Sequence, residues 1–220
     1  MSADIEQNLK SVKDEIKKYS DKPDEVALVA VSKFQPADSI LKAVEAGQVD
    51  FGENYANELE AKYNSDLLKD LKIQWNYIGK LQSKKIRKLA KIADTIQTVS
   101  RLKELELLAV AGYDSRLLIE LKFTESTSKS GADAKHLDLL LKRAETLNLK
   151  ISGIMTMGEQ NDRKGTEVIF KSAFEIYRGY DFRILSMGMS GDFDIALANG
   201  SNMIRVGTAI FGKRDIKSGF

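Results

Sequence analysis

The chain has 220 residues, 43% hydrophobic and 30% charged, which is an ordinary balance for one globular domain. Its net charge of +2 gives no basic excess that would indicate nucleic acid. The absence of cysteine and the single histidine, His136, argue against disulfides, a thiolate nucleophile, a metal site and a Ser-His-Asp triad.

Short apolar runs alternate with amphipathic stretches from the first residues onward. Apolar residues at helical spacing predict a first helix over 4–19: Ile5, Leu9, Val12 and Ile16. The run VALVAVS at 26–32 is typical of a strand buried on both faces. The further predicted strands are 49–51, 74–78, 95–99, 116–123, 151–155, 182–186 and 203–206. The further predicted helices are 37–46, 53–68, 81–92, 101–110, 133–147, 166–177 and 193–198.

Eight predicted strands in alternation with helices indicate parallel pairing through crossover connections. The sequence therefore predicts an α/β fold, a single (β/α)₈ TIM barrel over residues 1–220 with an extra N-terminal helix. A doubly wound open sheet is the alternative. It usually carries a glycine-rich first turn, whereas SKFQP follows the first strand here. No apolar segment approaches the ~20 residues that cross a bilayer and no apolar leader is present, so a cytoplasmic location without a membrane partner is expected.

Lys33 is the strongest candidate functional residue, because it follows a fully apolar strand at the end of the barrel where active sites are built. Desolvation lowers the pKa of a lysine, and a neutral amine can form a Schiff base with a carbonyl. The alternative is a lysine whose ammonium simply extends to solvent.

The loops after the seventh and eighth strands carry a second candidate feature, Ser190-Gly191 and Gly207-Thr208. Backbone N–H groups and hydroxyls on adjacent loops are typical of a phosphate site in such barrels. Arg205 can face the same cavity; the alternative is an arginine in a structural ion pair.

Two other patterns are set aside. GTAIFGK at 207–213 matches the start of a P-loop, but Arg214 stands where a magnesium-binding hydroxyl is required, so an NTPase is excluded. The Lys-rich helix at 81–92 is expected to be a solvated flank, with a nucleic-acid patch as the alternative.

His136 is expected on an exposed helix face. Methionines are expected to pack at the barrel mouth: Met155, Met157, Met187 and Met189.

A set of motifs gives the chain a family resemblance over nearly its whole length. In order, they are VAVSKFQP, FGENYANE, WNYIGKLQ, SRLKEL, SKSG, GIMTMG and LSMGMSGDFDIALANGSNMIRVGTAIFG. With these motifs the chain resembles the pyridoxal phosphate homeostasis proteins. The resemblance implies a fold type III barrel like the N-terminal domain of alanine racemase, with pyridoxal 5'-phosphate (PLP) as cofactor and no metal. It also implies cofactor-binding residues: Lys33 for the internal aldimine, Ser190, Gly191, Gly207 and Thr208 for the phosphate, Arg205 for the pyridine nitrogen, and Asn54 in the pocket lining.

The resemblance implies a PLP carrier in vitamin B6 and amino-acid homeostasis rather than an enzyme, and no catalytic residue is assigned. Arginine is effectively always protonated, so it leaves the pyridine nitrogen without a proton and the ring is a weaker electron sink. The second β-domain that supplies a tyrosine base in related racemases is not expected here. A monomer is expected, with PLP-dependent apo-enzymes as recipients and no nucleic acid.

Three alternative functions stay open at this point. They are a low-activity PLP-dependent amino-acid racemase, a Schiff-base aldolase acting on a phosphorylated sugar, and a nucleic-acid or protein adaptor that uses the Lys-rich helix. The chain also departs from the usual family residues at four positions: Asn76 for histidine, Lys84 for asparagine, Glu120 for glutamine and Lys122 for asparagine. Asn76 removes a titratable group and Lys122 adds a charge, so the resemblance does not predict pocket polarity or PLP affinity.

Overall fold

The computed structural model describes residues 4–123 and 130–212. Its strands are β1 (Ala27–Val31), β2 (Asp50–Glu53), β3 (Gln74–Tyr77), β4 (Thr95–Val99), β5 (Arg116–Lys122), β6 (Ala132–Asp133), β7 (Ile151–Met155), β8 (Ile184–Ser186) and β9 (Met203–Val206). Its α-helices are α1 (Ile5–Tyr19), α2 (Ala37–Glu45), α3 (Ala56–Tyr63), α4 (Ile86–Ile92), α5 (Leu102–Val110), α6 (Leu137–Thr146), α7 (Arg163–Gly179), α8 (Phe193–Ala198) and α9 (Thr208–Phe211).

The parallel strands close into a barrel. Strand β1 pairs with β2 and β9, and β4 pairs with both β3 and β5, which joins the two ends of the sheet. Within the described residues, eight strands form this ring, and the two-residue β6 pairs beside the last residues of β5. The prediction of a (β/α)₈ barrel is therefore confirmed, and the alternative prediction of a doubly wound open sheet is wrong. No second domain lies in the described part of the chain.

Apolar side chains occupy part of the barrel interior and most of the space beneath the helices. The interior cluster consists of Val29, Leu118, Met155 and Met203. A larger cluster lies between the strands and the surrounding helices, where fully buried residues such as Phe51 and Phe170 pack. Strand β1 reads as a continuous apolar run, ALVAV, because both of its faces are covered. None of the helices traced in residues 4–123 and 130–212 combines the length and apolar character of a membrane span.

Helix α1 confirms the predicted amphipathic stripe, because the same apolar positions are buried: Ile5, Leu9, Val12 and Ile16. Asp4 caps the helix by accepting the backbone N–H of Gln7 at 3.0 Å. The Asn8 amide donates to the carbonyl of Ile210 at 2.8 Å, and α1 packs against α2, α8 and α9. The extra helix is thus part of the barrel wall.

Several predicted boundaries differ from the structure. Glu53, predicted as the start of a helix, is the last residue of β2, and α3 begins only at Ala56. Helix α7 begins three residues earlier than predicted because the Asp162 carboxylate caps it by accepting the N–H of Gly165. Strand β6 and helix α9 were not predicted. Most of the loop after β5, including part of SKSG, lies outside the described residues, as do Lys213 and Arg214.

Candidate functional site

The candidate site lies where β1, β8 and β9 end, at the carboxyl end of the barrel. Strand β1 pairs with β9 and β9 with β8, so the segments that follow them meet at one rim. The Gly207 N–H donates to the Ser190 hydroxyl at 3.2 Å, which joins the two predicted phosphate loops. A Cβ on Gly207 would lie 3.3 Å from the carbonyl oxygen of Val31, two residues before Lys33. The structure therefore brings Lys33, Ser190 and Gly207 to the same rim.

The loop between β8 and α8 depends on a glycine and an aspartate. Gly188 has a φ of 98°, and a Cβ there would lie 2.6 Å from that of Ala196, so a side chain is excluded on both grounds. The Asp192 carboxylate accepts the Met189 N–H at 2.6 Å and fixes the following turn. A Cβ on Gly191 would meet nothing within 4 Å, so the protein leaves open space beside that residue. Exposed Thr208 begins α9 on the neighbouring loop.

Lys33 is half-buried in a tight turn directly after β1. The Gln35 N–H donates to the Ser32 carbonyl at 2.9 Å, which closes the turn around Lys33. Phe34 has a φ of 64°, a left-handed conformation that is unusual for a bulky residue. Such backbone strain costs on the order of 1–3 kcal/mol and persists only where surrounding contacts enforce it. One such contact is the Tyr55 ring, whose centroid lies 5.2 Å from that of Phe34.

A buried ionic cluster lies behind this turn, and sequence reasoning missed it. The Lys62 ammonium donates to Glu53 at 2.6 Å, to Glu58 at 2.7 Å and to the Ser32 carbonyl at 2.6 Å. Burial raises the pKa of Glu53 to about 7, although the Lys62 charge acts in the opposite direction. The spacing of Glu58 and Lys62 is a helical i,i+4 pair. This spacing could have predicted an ion pair on one face of the helix, but it does not show that the face is turned inward.

Arg205 is the central polar residue of the barrel interior. Its guanidinium donates to the Ser186 hydroxyl at 2.7 Å and to the Thr156 carbonyl at 3.0 Å. Both of these acceptors are uncharged, and the described residues show no salt bridge of Arg205, so they give no support to the structural ion pair considered above. Desolvation lowers the pKa of Arg205 to about 10, with the more distant Asp192 and Glu120 acting in the opposite direction. Arg205 is therefore a buried cation that lacks direct charge neutralisation among these residues.

A row of polar side chains crosses the barrel beneath Arg205. The Ser186 hydroxyl donates to the Gln97 amide oxygen at 2.7 Å, and Gln97 donates to Asn76 at 2.9 Å. Asn76 in turn donates to Asp50 at 3.1 Å, and burial raises the pKa of this carboxyl. Asn76 is fully buried in this row. The row fixes the orientation of Ser186 and, through it, of Arg205.

Asn54 carries an unsatisfied polar atom. Its side-chain oxygen is buried and has no hydrogen-bond partner within residues 4–123 and 130–212. A Cβ on Gly79 would overlap the Asn54 carbonyl oxygen at 1.8 Å, so the β3 loop packs directly on this residue. Buried polar atoms are usually satisfied, and an exception at the end of a barrel indicates a place for a ligand group or water.

Glu120, Lys122 and Lys84 are the other positions at which the sequence was expected to depart from the family. Glu120 is buried at the end of β5, where the Ser130 hydroxyl donates to it and burial raises its pKa. The Lys122 ammonium lies 3.6 Å from the Asp133 carboxylate, which offsets the added charge. Lys84 is exposed in the 3₁₀ turn before α4.

The Lys-rich segment and the methionines follow the predictions in part. Helix α4 packs between α3 and α5 on the barrel flank, and the Lys88 ammonium contacts Glu60 of α3. His136 is exposed, as predicted. Of the methionines, Met155 and Met187 are buried, whereas Met157 and Met189 are more than a third exposed, so barrel-mouth packing is confirmed only for the first pair.

Comparison with known proteins gives the class and then the family. The family model of the alanine racemase N-terminal domain matches residues 2–215. An alanine racemase from Clostridium difficile 630 superposes with a TM-score of 0.68 over 97% of this chain and 59% of that chain, at 14% identity, and supports the fold alone. The class is therefore that of alanine racemase N-terminal-type barrels.

Two relatives are much more similar in sequence. The pyridoxal phosphate homeostasis protein of Escherichia coli (strain K12) is 35% identical over an alignment of 238 positions. The alignment covers 96% of this chain and 97% of the relative. PipY of Synechococcus elongatus, whose structure was solved with PLP bound, is 32% identical and gives a TM-score of 0.82 over 94% of this chain and 100% of that chain. The chain belongs to the pyridoxal phosphate homeostasis protein family.

Proposed function

We propose that this chain binds PLP at the carboxyl ends of β1, β8 and β9 and takes part in intracellular PLP and amino-acid homeostasis. In the proposal, residues 1–220 act as one PLP-binding domain. The observation that carries it is Arg205. A guanidinium has five N–H donors, and its described hydrogen bonds engage Ser186 and Thr156 through Nη1 and Nη2. A buried cation with spare donors suits a ligand that presents an acceptor to the barrel interior.

The residues at this rim fit the chemical groups of PLP. Lys33 supplies an amine for the aldehyde, and Arg205 supplies donors for the pyridine nitrogen. The phosphate would be held by Ser190, Gly191, Gly207 and Thr208. Two features of the protein itself support the fit: the unsatisfied side-chain oxygen of Asn54 and the open space beside Gly191. An anion also suits the paired glycine loops, where backbone N–H groups can approach closely.

The residues of this chain are better suited to binding PLP than to using its ring as a strong electron acceptor in catalysis. Bound PLP supplies an electrophilic aldehyde and an electron-accepting ring. Arg205 keeps its proton at neutral pH, since even its lowered pKa is about 10. When PLP is bound, Arg205 would therefore donate a hydrogen bond to the ring nitrogen without protonating it. We accordingly propose a non-catalytic carrier and regulator, with a low-activity amino-acid racemase as the alternative.

Titration of the PLP-free protein with PLP tests the binding proposal. We expect a shift in the visible absorption of PLP that Lys33→Ala abolishes and the exposed control Lys171→Ala retains. Protein that leaves the spectrum of PLP unchanged would overturn the proposal and would favour the aldolase alternative, in which a sugar imine has no visible colour. Racemisation of alanine or serine that disappears in Lys33→Ala would instead support the enzyme.

The proposal extends to partners that need separate measurements. A PLP-dependent apo-enzyme mixed with the loaded protein should gain activity if this chain delivers PLP. Light scattering after size-exclusion chromatography should give the mass of one chain if the protein is a monomer. A cytoplasmic location is part of the same proposal and is tested by cell fractionation. RNA binding that falls with added salt would support the adaptor alternative.

A further inference from the structure

Lys62 is buried immediately behind the turn that carries Lys33. Its side chain is 8% exposed and the Glu53 side chain is 0% exposed, so their 2.6 Å contact is not a surface salt bridge. Burying a lysine is costly unless its ammonium is paired and hydrogen-bonded. The cluster supplies such partners for Lys62 in Glu53, Glu58 and the Ser32 carbonyl.

The cluster holds both residues that flank Lys33. On one side, the Ser32 carbonyl accepts from Lys62 at 2.6 Å, and the Ser32 hydroxyl donates to Glu53 at 2.7 Å. On the other side, the Phe34 N–H donates to the same Glu58 oxygen that accepts from Lys62. Helix α3 is therefore connected to the turn before and after the proposed attachment lysine.

The strained backbone makes these contacts necessary. Phe34 has a φ of 64°, which a non-glycine residue keeps only under constraint. Glu58 supplies that constraint directly, and Lys62 holds Glu58 in place through the 2.7 Å ion pair. Without it, relaxation of Phe34 toward ordinary backbone angles would rotate the peptide that follows Lys33.

We infer that Glu58 and Lys62 are positioning residues for Lys33, fixing the turn so that its amine is directed at the proposed PLP site. The inference rests on the proposed function. The described contacts place both residues behind the turn, so they act through Ser32 and Phe34. Their loss should slow covalent attachment of PLP, because small displacements of a reacting group are costly in rate. It should spare binding that depends only on the phosphate and the ring.

The test compares two probes on a set of variants. One probe is PLP, whose attachment is followed by stopped-flow absorbance. The other is pyridoxine 5'-phosphate, which lacks the aldehyde and cannot react with Lys33. The variants are Glu58→Ala, Lys62→Met and the conservative Glu58→Gln, which keeps an oxygen acceptor for the Phe34 N–H. The matched control on the same helix is Glu60→Ala. In the wild type, the Glu60 carboxylate contacts Lys88 at the surface.

We expect Glu58→Ala to slow PLP attachment about tenfold or more while pyridoxine 5'-phosphate affinity changes less than about twofold. Glu58→Gln should recover most of the rate, and Glu60→Ala should match the wild type. Lys62→Met should resemble Glu58→Ala; if it does not fold, Glu58→Ala decides.

Two results would overturn the inference. One is wild-type attachment kinetics in Glu58→Ala. The other is an equal loss of pyridoxine 5'-phosphate binding, which would assign the pair a general structural role. Failure of wild-type protein to bind either probe would instead overturn the proposed function.

Discussion

Replacing Arg205 with methionine separates a ligand-binding role from a structural one. Methionine has a similar length and no charge, so the substitution keeps most of the interior volume and removes the buried cation. If Arg205 stabilises the fold, its replacement should lower the free energy of unfolding. A residue kept for a ligand should leave the stability of the PLP-free protein nearly unchanged, since natural binding sites retain groups that do not stabilise the fold.

The structure gives the magnitude of the opposing effects. Desolvation lowers the pKa of Arg205 from the ordinary value of an arginine to about 10. At about 1.4 kcal/mol per pKa unit, the charged form costs about 3 kcal/mol in the folded state, and at pH 7.5 the whole of this cost is present. The hydrogen bonds to Ser186 and the Thr156 carbonyl offset it by about 1.5 kcal/mol each. We therefore expect the free energy of unfolding of Arg205→Met to lie within about 1 kcal/mol of wild type.

Urea unfolding of the PLP-free proteins, followed by PLP titration, measures both effects. Arg205→Met should bind PLP at least about tenfold more weakly, which is the value of one good charged hydrogen bond. The surface control Arg143→Met, whose partner Glu106 is 36% exposed, should change neither quantity appreciably. A loss of stability above about 3 kcal/mol with unchanged PLP affinity would refute the reasoning and make Arg205 a structural residue.

Three further predictions concern Lys62, Glu53 and Gly207, and two of them have a control substitution. Lys62→Met leaves buried carboxylates without a cation and should lower the free energy of unfolding by about 3–5 kcal/mol. The control Lys88→Met, at the surface, should lower it by less than about 1 kcal/mol, and urea unfolding measures both. Because burial raises the pKa of Glu53 from 4.5 to about 7, the folded state keeps a proton that the unfolded state releases. Stability from this group is therefore full below pH 4.5 and falls by up to about 3 kcal/mol as pH rises through 7, and Glu53→Gln should remove this slope from urea titrations. Gly207→Ala places a Cβ 3.3 Å from the carbonyl oxygen at the end of β1 and should cost about 1 kcal/mol, while Gly191→Ala, with nothing within 4 Å, should leave thermal stability unchanged.

Local periodicity was enough to predict most of the fold. The spacing of Ile5, Leu9, Val12 and Ile16 predicted α1 and its buried face, because a helix turns the same face inward every three to four residues. Gly47 and Gly112, with φ values of 81° and 71°, follow the ends of α2 and α5, where a left-handed conformation stops the helix. Glu53 was misplaced because a lone charged residue at the end of a short strand has no periodic signature, and only the pairing of β2 with β3 fixes it there.

The candidate site was predicted only where residues share a strand end. Lys33, Ser190, Gly207 and Arg205 could be placed because parallel strands finish at one rim. Lys62 could not, since its partners include Ser32, 30 positions away, and helical periodicity does not reveal an inward-facing lysine. The row from Ser186 through Gln97 to Asn76 likewise depends on contacts across the barrel interior.

Borohydride reduction of PLP-treated protein, followed by peptide mass mapping, tests the central claim most directly. The chemistry fixes PLP irreversibly on whichever amine holds it. We expect one modified peptide, with the added mass on Lys33, and loss of that modification in Lys33→Ala. Reduced PLP spread over surface lysines, with Lys33 unmodified, would contradict the account.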